Sequence, residues 1–120
     1  DLLFLAVPHK TAMDFVVKLM NSKIKIVDFS ADYRLKKENY ELFYTKHIDS
    51  INLDKAVYGL PEYFRDEIKK SDLVANPGCY PTATLLALLP FREHLVGNIF
   101  IDAKSGVSGA GKKLSETTHF

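Results

Sequence analysis

The sequence predicts an α/β fold built on a parallel sheet, and three features carry that expectation. LLFLAV (2–7) is a short continuous apolar run closed by Pro8, as expected for a strand covered on both faces. Ala12, Val16, Leu19 and Met20 then recur at helical spacing, which predicts an amphipathic helix over 12–22. IKIVDF (24–29) is a second apolar strand. Strand, helix and strand within so short a stretch form a βαβ unit, whose two strands run parallel and whose crossover is right-handed.

Each later element has its own reason. Thr11 offers a cap to the first helix, with Asp14 three residues on completing a weak capping box. KKENYELFY reads as a short helix, VYGLPEY as an ordered turn around Gly59 and Pro61, and 62–70 as a charged helix. SDLVAN (71–76) is a third strand. From Pro81 a helix runs to about 89, apolar almost all round and so expected to be buried, and Pro90 breaks it. NIFIDAK (98–104) reads as another strand, followed by the glycine-rich loop SGVSGAG (105–111).

The totals narrow the function classes. With 47% hydrophobic and 12% aromatic residues among 120, the chain can bury a core. Its 16 basic residues nearly balance 15 acidic ones, so composition gives no support for a nucleic-acid or anionic-membrane partner. One cysteine excludes an intrachain disulfide and suits a reducing, cytoplasmic setting. No apolar run reaches the roughly 18 residues of a membrane helix. The chain opens without Met, inside a strand, and is expected to be an excerpt of a longer polypeptide.

Cys79, the single thiol, stands in ANPGCYPT just ahead of the apolar helix. Proline favours a helix's first turn, so Pro81 sets Cys79 at or just before the helix N-terminus. Unpaired N–H groups and the positive dipole end there stabilise a thiolate, and the same N–H groups suit an oxyanion formed on a carbonyl that the sulfur attacks. A small buried hydrophobe is the competing reading of a lone cysteine. SGVSGAG offers free N–H groups for close approach to a phosphate or a nicotinamide, and reads equally as a mobile surface loop. His9 and Arg34 both follow strand ends, where parallel sheets place ligands. Arg34 suits a bidentate grip on a substrate carboxylate or phosphate, or a salt bridge to Asp28 or Asp32. His47, His94 and His119 show no metal-ligand spacing with one another or with Cys79, so no metal is expected.

AVPHK, VDFSADYRL, YGLPE, ANPGCYPTA and KSGVSGAGK follow one another in this order along the whole chain. The series resembles the N-acetyl-γ-glutamyl-phosphate reductase family, arginine-biosynthesis enzymes structurally related to aspartate-semialdehyde dehydrogenase. The resemblance implies a Rossmann-like nucleotide-binding domain, its latter part at 1–90, with 91–120 a linker and the start of an α+β catalytic and dimerisation domain. It makes Cys79 the nucleophile and sets Ser108, Gly109 and Gly111 near the nicotinamide end of NADP, with His9 beside the cofactor. It also implies a small acyl phosphate substrate and a homo-oligomer. The family's pyrophosphate-binding glycine turn is expected before residue 1 and its catalytic histidine beyond residue 120. His119 does not stand in that histidine's motif.

Overall fold

The computed structural model describes residues 1–106 and Gly109. It divides into two units, Asp1–Thr82 and Ala83–Phe120. In the first, β1 (Leu2–Leu5), β2 (Lys25–Asp28), β3 (Val57–Tyr58) and β4 (Leu73–Ala75) form one parallel sheet in the order β1-β2-β4-β3. Helix α1 (Ala12–Leu19) connects β1 to β2, with a 3-10 turn over Met20–Ser22, which completes the expected βαβ unit. The connection from β2 to the far edge carries α2 (Lys37–Phe43) and α3 (Ser50–Leu53). Helix α4 (Pro61–Lys70) then brings the chain back to insert β4 beside β2. The parallel α/β class is as the sequence predicts; α3 and the two-residue β3 are not. Two residues cannot show a period, and β3 exists only through its ladder to Val74 and Ala75.

The core joins one sheet face to α1 and to the β2–β3 connection. Leu5, Ile26, Leu73 and Ala75 pack with Ala12, Met13, Val16, Tyr33, Tyr40 and Leu53. Strand β1 departs from expectation: Leu2 and Phe4 are both 57% exposed, so one face of this edge strand lies open, with Phe4 stacked on Phe29 at 6.0 Å between ring centroids.

The expected cap of α1 is replaced. Thr11 has helical backbone angles and makes no side-chain cap. Fully buried Asp32 serves instead, its Oδ2 accepting the Ala12 N–H at 3.1 Å and its Oδ1 the Lys10 N–H at 2.8 Å. A carboxylate at a helix N-terminus is favoured by the dipole as well as by its hydrogen bonds, so it outcompetes a local hydroxyl.

Helix α5 (Cys79–Leu88) begins in the first unit and continues into the second. It contains no buried residue, against the burial its apolar sequence predicts. A 3-10 turn, Leu89–His94, takes over at Pro90. The strand expected over 98–104 is not formed: the segment is irregular and exposed, and no ladder partner lies beside it among the described residues. A strand needs a neighbour to take its N–H and C=O groups.

Candidate active site

Three predicted residues lie where strands of the parallel sheet end: His9 after β1, Arg34 after β2 and Cys79 after β4. Cys79 is the first residue of α5 and is exposed. Gly78 closes the helix start, its carbonyl accepting the Thr82 N–H at 3.0 Å and the Thr82 hydroxyl at 2.8 Å. The N–H groups of Cys79 and Tyr80 stand ahead of the first helical carbonyl, and Pro81 has no N–H, so two donors are left at this end.

Backbone and guanidinium together hold the turn. The Asn76 N–H donates to the Asp28 carbonyl at 2.8 Å. Arg34 donates from Nε to the Asn76 carbonyl at 2.7 Å and from Nη2 to the Phe29 carbonyl at 2.6 Å, spanning the ends of β2 and β4. A Cβ placed on Gly78 would lie 3.2 Å from Arg34 Nη1, so the missing side chain is what admits the guanidinium beside the cysteine. The expected salt bridge from Arg34 to Asp28 or Asp32 is absent among the described residues; backbone carbonyls take its place. Nη1 and the second N–H of Nη2 make no hydrogen bond among the described residues.

Gly59 fits the β3 end against this turn. Its N–H reaches the Ala75 carbonyl at 2.8 Å, and a Cβ there would meet Val74 Cγ1 at 3.0 Å and Asn76 Cα at 3.1 Å. YGLPE and ANPGC are thus in contact across the sheet.

A buried polar network lies behind Arg34. Asp28 accepts the Ser30 N–H at 2.9 Å and the Ser30 hydroxyl at 2.7 Å, while Ser30 Oγ accepts the Asp32 N–H at 3.0 Å. Burial pushes the Asp28 carboxyl above its usual range, with the Ser30 bonds acting in the opposite direction. Tyr40 donates to Asp32 and Tyr33 to Asp49, each at 2.8 Å. Desolvation first, and then these carboxylates, raise both phenols, so they remain donors. His47 accepts the Asp49 N–H on Nδ1 at 3.1 Å, which leaves its Nε2–H to donate to the Asp32 carbonyl at 2.8 Å.

His9 is exposed, its ring edge-on to Tyr44. Nδ1 accepts the Ala31 N–H at 2.9 Å, so the neutral ring carries its proton on Nε2. An exposed donor beside a flat aromatic face at a strand end fits a ribose or phosphate oxygen of a nucleotide. Gly109 is exposed in the second unit, where a Cβ would collide with the Ser105 hydroxyl. Ser108 and Gly111 lie outside the described residues.

Residues 1–71 match the model described as semialdehyde dehydrogenase, NAD binding domain, and residues 79–120 match the semialdehyde dehydrogenase dimerisation domain. The chain belongs to the semialdehyde dehydrogenase family. Within that family it is similar, over its full length, to curated proteins named N-acetyl-gamma-glutamyl-phosphate reductase. It is 57% identical to the one from Sulfurovum sp. and 58% to that from Sulfurimonas denitrificans, covering 36% of each. An archaeal relative of the same name, from Archaeoglobus fulgidus, is 53% identical, again with 36% covered. The chain thus spans about a third of the length of these relatives, and the family read from its motifs is the family the comparisons return.

No helix among the described residues is long and apolar enough to cross a membrane. Sequence reasoning missed Tyr58, Lys36 and Lys37, which line a cleft with Arg34. YGLPE marked Tyr58 only as part of a turn, and nothing local marks the two lysines.

Proposed function

We propose that the whole protein is an NADPH-dependent N-acetyl-γ-glutamyl-phosphate reductase of arginine biosynthesis, acting through Cys79. The observation that carries the reading is the exposed thiol at the first residue of α5 with a guanidinium packed on the glycine before it. The relatives' shared name supports the substrate.

Cys79, as thiolate, attacks the γ-carbonyl of the acyl phosphate. A carbon–sulfur bond forms, the carbon–oxygen bond to phosphate breaks, and phosphate departs with the electron pair, leaving a thioester. The Cys79 and Tyr80 N–H groups are the available donors for the oxyanion formed on the way. Arg34, rigid through its two backbone bonds, turns its remaining N–H groups to the leaving phosphate. NADPH, when bound, supplies the hydride that takes the thioester to the aldehyde level. His9 Nε2 and the loop of Ser108, Gly109 and Gly111 are its proposed contacts in this chain. The matched dimerisation domain supports a homo-oligomer, and a reducing cytoplasm suits the free thiol.

The test uses full-length enzyme with N-acetylglutamate semialdehyde, phosphate and NADP, followed by nicotinamide absorbance. Phosphate-dependent reduction of NADP that iodoacetamide abolishes by modifying Cys79 is the expected result. Equal turnover after complete alkylation of Cys79 would exclude the thioester route.

A further inference from the structure

Arg34 is presented by a tight turn, Ala31–Arg34, closed by donation of the Arg34 N–H to the Ala31 carbonyl at 3.3 Å. That closing bond is long, so the direction in which the arginine leaves depends on what holds the two central residues, Asp32 and Tyr33. Both are gripped from the loop ahead of α3. The His47 Nε2–H donates to the Asp32 carbonyl at 2.8 Å, and the Tyr33 hydroxyl donates to Asp49 Oδ2 at 2.8 Å. The two gripping residues also fix each other, through donation of the Asp49 N–H to His47 Nδ1 at 3.1 Å. Asp49 Oδ2 accepts the Asn52 side-chain amide at 2.8 Å as well, and the His47 N–H donates to a Glu41 carboxylate oxygen at 2.9 Å. The imidazole stands edge-on to the rings of Tyr33 and Tyr40, at 5.4 and 5.1 Å between centroids.

His47, Asp49 and Tyr33 are all buried, so any part they take in the reaction runs through the turn. An apolar side chain at position 47 would fill the core without the desolvation cost of an imidazole. What the satisfied polar cluster adds is a unique arrangement of its partners. The Asp32 carbonyl belongs to the central peptide of the turn, whose orientation is what differs between the common turn types. His47 therefore locks that peptide, and Asp49 locks the side chain of the residue just before Arg34. We propose that His47 and Asp49 are positioning residues for the phosphate group of the substrate, holding the turn at the setting from which Arg34 meets it. This rests on the reading of Arg34 as the phosphate contact of a reductase that acts through Cys79. Affinity for phosphate, rather than for the cofactor or the aldehyde, is then what the pair controls.

The experiment measures KM for phosphate, for N-acetylglutamate semialdehyde and for NADP on the full-length enzyme in the phosphate-dependent direction. Tyr33→Phe removes a single hydroxyl and leaves Asp49 its Asn52 partner. His47→Asn keeps an acceptor in place of Nδ1 and loses the donor to the Asp32 carbonyl. Each should raise KM for phosphate about tenfold, below the roughly 10²-fold that a misplacement of about 1 Å can cost. KM for the semialdehyde and for NADP should stay within about twofold, as expected of sites that share no partner with the turn. His47→Gln, whose amide N–H can reach the Asp32 carbonyl, should recover most of the loss. Stability falls with the loss of any buried bond and does not decide; the split among the KM values does. An unchanged KM for phosphate, or an equal rise in all three, would overturn the positioning role. A His47→Gln enzyme as impaired as the Asn variant would overturn the part given to the Asp32 bond. If the His47 variants do not fold, Tyr33→Phe decides by the same split. A wild type that reduces no NADP would remove the reductase reading, and this role with it; an active wild type with insensitive variants removes this role alone.

Discussion

The loop after β2 and the turn after β4 end at the same edge of one sheet and are built in opposite ways. In the first, Asp28, Ser30 and Asp32 are buried and spend their polar atoms on each other and on neighbouring backbone, with only Arg34 reaching out. In the second, Cys79 is exposed and its helix end keeps free donors. The rigid loop supplies the frame: Arg34 ties Phe29 to Asn76, so order made at β2 is handed to the β4 turn. A reactive group needs access and unfilled donors, whereas a group that positions it needs every bond satisfied.

Four changes test this division, taken from the largest expected effect. Cys79→Ser in the full-length enzyme should lower kcat by about 10³-fold or more, while stability stays within about 0.5 kcal/mol because the side chain is exposed. Steady-state rates beside urea unfolding would read both. A large stability loss there would mean that the turn is structural after all.

Asp32→Ala attacks the opposite region. It leaves the Lys10 N–H, the Ala12 N–H and the Tyr40 hydroxyl without their acceptor, a cost of about 3 kcal/mol or more. The urea midpoint should fall sharply, and retained stability would show that the network is dispensable.

Gly59→Ala probes the contact between the β3 end and the β4 turn. Its methyl meets Asn76 Cα at 3.1 Å and the Ala75 carbonyl oxygen at 3.2 Å, atoms of backbone that cannot swing away. A loss of about 1–3 kcal/mol is expected from overpacking, with slower Cys79 alkylation as the turn shifts. A stability loss with an unchanged alkylation rate would separate the two regions.

Asp28→Asn should have the smallest effect, and it appears in the pH dependence. The Asp28 carboxyl is raised in the fold, so the unfolded chain ionises first, from the ordinary aspartate value of 3.8 upward. The folded state then binds more protons, and stability falls as pH rises from there through the folded value. Thermal midpoints measured from about pH 3 to 7 should show that decline in the wild type and a flatter profile in the Asn variant. Identical profiles would mean that Ser30 compensates the burial.

The motifs were more legible than the network that supports them. Cys79 could be placed at a helix start because Pro81 and the apolar run after it are local signals, and the helix does begin there. The βαβ unit followed from hydrophobic spacing. The cap of α1 was misread because Asp32 lies twenty residues from Ala12, and no local pattern distinguishes a buried carboxylate from a solvated one. The salt bridge that stood as one of two readings of Arg34 is replaced for a similar reason: only the fold brings the Phe29 and Asn76 carbonyls within its reach.

By itself the sequence determined the element types along most of the chain, the parallel class of the sheet and the motif series that marks the family, because spacing, proline and glycine act over a few residues. Only the tertiary structure decided the strand order, the insertion of β4 between β2 and β3, the partners of Asp32 and Arg34, and the cleft bordered by Lys36, Lys37 and Tyr58. Each of these joins residues far apart in the chain, and a hydrogen bond or a cavity wall is specified by where groups meet in space.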